Sequence, residues 1–435
     1  MKDFAISDNP RVQAQLDRLG ALSLPQGRIG LEVIHDLLAR LGDPQKRLPP
    51  VLHVAGTNGK GSTCAYLRAM LDAQGLTVHA ATKPHLVRYN ERIRIAGELV
   101  SDDRLADLLG EVLDVGEDLA PSFFEVTTAA MFKAFAETPA DACVIEVGLG
   151  GRFDATNVLD GQAATGIATL GIDHEAFLLA PEDNVPADPL CRIAFEKAGI
   201  ARAGVPLVTQ AYPTEVTRTV IEQAMKVGAK TAIRGLDWFA DIGEAIAYRD
   251  KHGKLTLPLP ALVGTHQADN AALAVAMLRH QTQLEVSPEA MAQGIRAARW
   301  PARLQLLGDG PLTALAGSRK VWLDGGHNVD AGLAIARHFA GAAPFHLITG
   351  MLANKDPSAI VAPLAGQLAT LSVVPAPGHE AHAPEDFAPF TRLPVRAFAE
   401  IEAALAALPP QGDVLICGSL YLAGEVLRLN REFPD

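Results

Sequence analysis

Between residues 51 and 63 the chain reads Val51-Leu52-His53-Val54-Ala55, then Gly56-Thr57-Asn58-Gly59-Lys60-Gly61-Ser62-Thr63. An apolar run suited to a buried strand ends in glycines, a lysine and two hydroxyls, and a helical pattern follows from Cys64 to Gln74. Those residue types in that order make a phosphate cradle. Glycines let backbone N–H groups approach phosphate oxygens, the helix offers its positive N-terminal end, Lys60 reaches the outer phosphates, and Ser62 or Thr63 ligates Mg²⁺. The spacing departs from GxxxxGK[ST], because Gly61 separates the lysine from the hydroxyls, and the motif alone names no reaction.

Other chemistry-bearing residues sit at the ends of apolar runs. Glu146 closes the run Ala142–Val147, ahead of Gly148-Leu149-Gly150-Gly151-Arg152-Phe153-Asp154. A carboxylate at the end of a buried strand, downstream of a phosphate loop, suits a Walker-B-like role on Mg²⁺, since an unpaired buried carboxylate is costly. An internally salt-bridged glutamate would read the same way. The cation-rich stretch Lys83–Ile95 follows a strand end and reads as an irregular loop, either substrate-contacting or merely solvated. His174 and Lys197, taken singly, are as readily structural or solvated as catalytic. His266 and Asn270, four apart on a helical pattern, share a face.

The elements that must position these groups alternate between strand and helix. Helical patterns at Arg11–Leu19 and Leu31–Leu41 lead in; strands are expected at 77–82, 142–147, 165–170 and 205–210, with helices between, which implies a parallel, doubly wound sheet. Residues 238–259 alternate like β-hairpin material. A boundary is expected near 297, giving a phosphate-loop ATPase domain over 1–297 and a smaller, Rossmann-like α/β domain over 298–435 that closes over the nucleotide. Its strands are expected at 320–323, 345–349, 370–375 and 413–417. At 435 residues two domains are the prior, at about 100–200 residues each.

The formal charge of −12 argues against nucleic acid or an anionic membrane as partner. The first 20 residues are polar where a signal peptide would be apolar, and no window approaches about 18 uninterrupted apolar residues, so a cytoplasmic protein is expected. The four cysteines form no CxxC pair and read as small buried hydrophobes rather than as disulfides or zinc ligands.

Taken together the motifs resemble the folylpolyglutamate synthase and dihydrofolate synthase branch of the Mur ligase superfamily, ATP-dependent amide-forming enzymes. The matching pieces run in the family's order. They are Gly56–Ser62, Pro84-His85-Leu86, Glu91-Arg92-Ile93, Glu146–Asn157, Asp173-His174, Glu196–Ile200, His266-Gln267 with Asn270, Asp324-Gly325-Gly326-His327-Asn328 and Gly418–Leu422. The resemblance implies that Ser62 and Glu146 hold one Mg²⁺ on ATP, and that Glu146, His174 and a carbamylated Lys197 hold a second. Asn270, Arg303, Asp324 and His327 would contact ATP or the incoming amino acid, and Lys60 the phosphates. Arg88, Phe123, Phe124 and Asp154 would flank a pterin-bearing substrate, with Ser419 also on the substrate side. The implied reaction joins L-glutamate to dihydropteroate, or to the glutamate tail of folates, through an acyl phosphate. A monomer without a macromolecular partner is implied.

Two departures stand out. The family commonly has serine before Pro-His-Leu, near the first Mg²⁺, where this chain has Lys83; a fixed cation there repels that ion or replaces part of its charge. Residues 179–189 look like an insertion. Three further readings stay open: a Mur-type ligase acting on another carboxylate, a family member that binds folate and nucleotide with altered catalysis, and a phosphate-loop ATPase switch that makes no amide bond.

Overall fold

The computed structural model describes residues 6–22, 30–173 and 175–434. His174, one of the expected metal ligands, lies outside the described residues. The chain divides into two compact units, the first comprising Met1–Pro84, Arg88–Ala261 and Gln267–Ala298. Two short upstream segments, His85–Val87 and Leu262–His266, belong with Arg299–Asp435 in the second unit. A single boundary near 297 does not anticipate that exchange of segments.

The first unit is built on eight strands: β1 (Val51–Ala55), β2 (Val78–Ala81), β3 (Ile93–Ile95), β4 (Glu98–Leu99), β5 (Ala142–Glu146), β6 (Ala164–Ile167), β7 (Pro206–Thr209) and β8 (Lys230–Ile233). Their order is β4-β3-β2-β5-β1-β6-β7-β8. The six from β2 to β8 pair in parallel, as the strand–helix alternation implied. β3 and β4 add an antiparallel edge. Part of the cation-rich stretch expected to be irregular is therefore a strand: Ile93 is buried against the core while Arg94 pairs with Ala80 across the ladder. β1 and β5 are buried along their whole length, which is why both read as continuous apolar runs.

Helices cover both faces. Pro10–Ala21, Glu32–Arg40, Asp102–Gly116 and Phe123–Glu137 share one core, centred on Val12, Leu37, Leu109 and Phe132. A second core joins Ile167 and Leu207 to Ala194 and Val220 on helices Pro189–Ala198 and Thr214–Val227. The segment expected as hairpin material is a three-stranded antiparallel meander, β9 (Trp238–Ile242), β10 (Ile246–Asp250) and β11 (Gly253–Leu257).

The second unit carries a six-stranded sheet of β12 (Gln305–Leu306), β13 (Val321–Leu323), β14 (Phe345–Thr349), β15 (Leu368–Val373), β16 (Val395–Ala397) and β17 (Val414–Cys417). Its order is β12-β13-β17-β14-β15-β16, parallel except for the β12 edge, with one core on each side. All four cysteines are free and buried. Among the described residues no helix is long and apolar enough to cross a membrane.

Candidate active site

The loop after β1 is held open by contacts to the strand next to it. Thr57 and Asn58 donate their N–H groups to the Thr169 carbonyl, and the Thr57 hydroxyl donates to Gly171 O at 2.8 Å. Gly59 has φ +83°, and a Cβ there would lie 2.4 Å from Asn270 Oδ1, so only glycine lets the helix Thr265–His280 press its amide against the loop. Asn270, expected near ATP, thus lies on the phosphate loop itself. The helix Lys60–Ala73 starts immediately after, with Ser62 and Thr63 buried in its first turn. Thr63 Oγ1 has no hydrogen-bond partner.

Lys60 curls back over its own loop, donating to Gly56 O at 3.0 Å and Thr57 O at 3.2 Å. Lys197, on the buried side of the helix Pro189–Ala198, donates to the same Gly56 carbonyl at 3.0 Å. Two ammonium groups therefore share one acceptor, and among the described residues no carboxylate is hydrogen-bonded to either. Burial, reinforced by Lys60, pushes the Lys197 ammonium down from 10.5 to about 7, against the pull of Asp173, Asp154 and Glu196.

Glu146, at the end of β5, is buried, and its Oε2 accepts the main-chain N–H of Lys83 at 2.9 Å. The Lys83 ammonium points elsewhere, 4.0 Å from the centroid of the Phe124 ring and without a hydrogen-bond partner. Burial lowers it to about 8, although Asp154 and Glu146 pull upward. Phe123 and Phe124, whose rings meet edge-on at 6.3 Å, open the helix Phe123–Glu137. Ser122 and Glu125 cap that helix reciprocally, each side chain accepting the other's backbone N–H, which fixes where the aromatic pair sits.

Asp154 is buried and saturated. Its Oδ2 accepts from Gly148 N and Leu149 N, both at 2.9 Å, and its Oδ1 from Thr156 N and the Thr156 hydroxyl. Those bonds fold the Gly148–Asn157 loop. The buried His53 of β1 joins the same network through Thr156 Oγ1 at 2.8 Å, and burial pushes its imidazole down to about 3. Arg88 is exposed; its N–H meets Glu91 Oε1 at 2.6 Å.

One set of groups had no signal in the sequence. Arg152 forks onto Glu182 at 2.8 and 2.5 Å and onto Glu196 at 2.8 and 3.1 Å. Arg192 bridges the same two carboxylates at 2.7 and 3.1 Å. Glu182 lies in the 179–189 stretch, so this stretch is pinned to the glycine-rich loop and to the helix that carries Lys197. A Cβ at Gly151 would lie 2.8 Å from Glu196 O, which is why the loop can lie on that helix at all.

The remaining expected residues are in the second unit. Asp324, buried, accepts from Leu304 N at 2.8 Å and Gly326 N at 2.6 Å. His327 Nδ1 lies 3.0 Å from Gly325 O. Arg303 donates to Ala302 O and is flanked by Ala302 and Leu304 with φ of +53° and +44°, an uncommon pair of conformations for side-chain-bearing residues. The Ser419 hydroxyl caps the helix Leu420–Asn430, accepting from Tyr421 N at 3.0 Å.

Among the described residues no three His, Cys, Asp or Glu side chains converge as a metal cluster. The buried Glu146 carboxylate and the Ser62 hydroxyl are oxygen donors of the kind Mg²⁺ takes, an ion bound through one or two carboxylates with phosphate oxygens and water filling its shell. Lys197 as an ammonium is not a metal ligand; only a change such as carbamylation would make it one.

No protein-family model matches the chain. It is 33% identical over 419 residues to the folylpolyglutamate synthase of Lacticaseibacillus casei, covering 90% of this chain and 92% of that one. The structure of Escherichia coli FolC in complex with DHPP and ADP superposes with a TM-score of 0.83 at 31% identity, over 96% of this chain and 97% of that one. A bifunctional folylpolyglutamate synthase/dihydrofolate synthase of Yersinia pestis, complexed with AMPPNP and Mn, gives 0.82 at 30% identity over 96% and 97% of the two chains. With likeness of this extent running through both units, the chain belongs to the folylpolyglutamate synthase/dihydrofolate synthase family of ATP-dependent ligases.

Proposed function

We propose that this chain joins L-glutamate to a pterin-bearing carboxylic acid, dihydropteroate or a folate, with conversion of ATP to ADP and phosphate. The observation that carries the reading is the convergence of Lys60 and Lys197 on the Gly56 carbonyl, positive charge gathered at a glycine loop at the carboxyl end of a parallel sheet, with a further buried ammonium on Lys83, whose main-chain N–H meets Glu146. Such a cluster costs stability in the empty protein and is offset only when an anion arrives. A triphosphate is that anion.

In the reaction a carboxylate oxygen of the pterin acid attacks the γ-phosphorus, the bond to the β,γ-bridging oxygen breaks, and ADP leaves. The amine of L-glutamate then attacks the acyl phosphate, losing a proton as inorganic phosphate departs. The protein's share is positioning and charge neutralisation. The loop N–H groups and Lys60 hold the phosphates, while Phe123 and Phe124 offer apolar surface to the pterin. Asp154 acts through the loop it folds rather than by direct contact. Ser62 and Glu146 would hold a divalent ion, which supplies further charge neutralisation on the transferred phosphoryl group. Lys197 would join a second ion once carbamylated, a conversion that turns its positive charge negative. Asn270 would line the nucleotide pocket through the loop; Arg303, Asp324 and His327 would serve ATP or the amino acid, and Ser419 would act as a helix cap beside them. We place the enzyme in the cytoplasm as a monomer.

The test measures phosphate release from Mg-ATP with L-glutamate, using dihydropteroate and tetrahydrofolate in separate reactions, with mass spectrometry of the products. A single glutamyl addition to dihydropteroate establishes dihydrofolate synthase activity, and a glutamylated tetrahydrofolate product establishes the polyglutamate activity. ATP consumption with no glutamylated product in either reaction overturns the ligase reading.

A further inference from the structure

Lys83 has an ammonium that the fold does not use. Its Nζ is buried, no hydrogen-bond partner meets it among the described residues, and it stands over the face of Phe124, 4.0 Å away, with Asp154 and Glu146 attracting it only through space. The two nearest carboxylates are already committed: Asp154 to four donors of its own loop, and Glu146 Oε2 to the N–H of Lys83 itself. The Phe124 ring in turn lies on Gly148, where a Cβ would be 2.5 Å from Cζ. Lys60 and Lys83 both act electrostatically on the buried Cys64 thiol in the first turn of the phosphate-loop helix. The ammonium thus lies against an aromatic wall with its donors unspent.

We propose that Lys83 binds the reacting carboxylate of the pterin acid, holding it against the Phe124 face in line for attack on the γ-phosphate and then retaining the acyl phosphate. The inference rests on the ligase reading. It commits the cation to the substrate rather than to the metal, and so supplies from the protein a positive charge on the acyl side of the reaction. An ammonium with three donors and no acceptor is a poor structural device. It becomes a good binding device when the missing acceptor is a carboxylate that arrives with the substrate.

The experiment compares wild type, Lys83→Met and Lys83→Arg, each with AMPPNP and Mg²⁺, in titrations with dihydropteroate and with its methyl ester. The expected result is dihydropteroate binding weakened by about tenfold or more in Lys83→Met, ester binding unchanged, and partial recovery of acid binding in Lys83→Arg. The melting temperature of the ligand-free Lys83→Met protein should be equal to or above that of wild type, because an unpaired buried charge has been removed. A merely structural lysine would give a lower one. Equal losses for acid and ester, or no loss for either, overturn the inference while leaving the ligase reading intact. A second bound Mn²⁺ in Lys83→Ser with acid binding unchanged also overturns it, since the lysine would then stand in for an ion. Failure of the wild-type protein to bind both dihydropteroate and tetrahydrofolate overturns both readings.

Discussion

Two neighbouring residues on one helix, Glu196 and Lys197, handle charge in opposite ways. Glu196 is shared by Arg152 and Arg192, themselves tied to Glu182, so every charge in that set has a counter-charge within hydrogen-bond reach. Lys197 shares a neutral carbonyl with another lysine. A paired network is what a fold uses to pin a loop to a helix; a buried cation without a carboxylate bonded to it destabilises the empty protein and marks the place where a ligand's charge is missing. On the proposed function, the contrast separates a residue that holds the architecture from one that serves chemistry, though they sit one position apart.

Substitutions can break that contrast. The largest effect is expected at Lys60: Lys60→Met should lower kcat/KM for ATP by roughly a thousandfold while the melting temperature stays near wild type, read by steady-state phosphate release and thermal unfolding. Next, Glu196→Gln should cost about 3 kcal/mol in urea unfolding, because it leaves two buried or half-buried guanidinium groups short of a counter-charge. Lys197→Met should do the reverse, lowering turnover about a hundredfold with stability unchanged or raised. If Glu196→Gln leaves stability intact and Lys197→Met unfolds the protein, the assignment of architecture and chemistry is inverted.

His53 gives a fourth, smaller test, since it is buried as a neutral group. Its folded-state pKa of about 3 lies below the 6.5 of an unfolded histidine, so between those values the unfolded chain binds more protons. Stability should therefore fall as the pH drops from 6.5 toward 3, by about 1.4 kcal/mol per unit from this residue, or roughly 2–3 kcal/mol by pH 4.5. His53→Gln, which keeps a donor toward Thr156, should lose less stability than wild type as the pH falls through that range. An unchanged acid midpoint would count against a neutral His53.

What the sequence disclosed, and what it hid, follows from the range of the interactions. The phosphate loop was legible because its chemistry is local: glycines, lysine and hydroxyls within eight residues. The parallel strands were legible because burial on both faces leaves continuous apolar runs. β3 was not, because three residues carrying an arginine offer no period to read. The capping pair Ser122 and Glu125 was visible three residues apart, and would have placed Phe123 and Phe124 inside the helix. Asp154 was found, but not the four hydrogen bonds by which it folds its own loop. The Arg152–Glu182–Arg192–Glu196 set joins residues up to 44 positions apart, and long-range ion pairs leave no pattern in a single sequence. Likewise, Lys83 could be seen as a departure from the family, whereas the direction of its ammonium needed the fold.

The loop at Gly56–Thr63 is finished by residues that leave the ribosome long after it does. Thr57 waits for Gly171, 114 positions later; Gly56 waits for Lys197, 141 positions later; and Gly59 gains its wall only with Asn270. At about 5–20 residues per second of synthesis, the cradle stays incomplete for about ten seconds or more after its own residues have been made. Nucleotide capture is therefore a late event in the life of a nascent chain, timed by the emergence of the helix Thr265–His280 rather than by the motif that names the site.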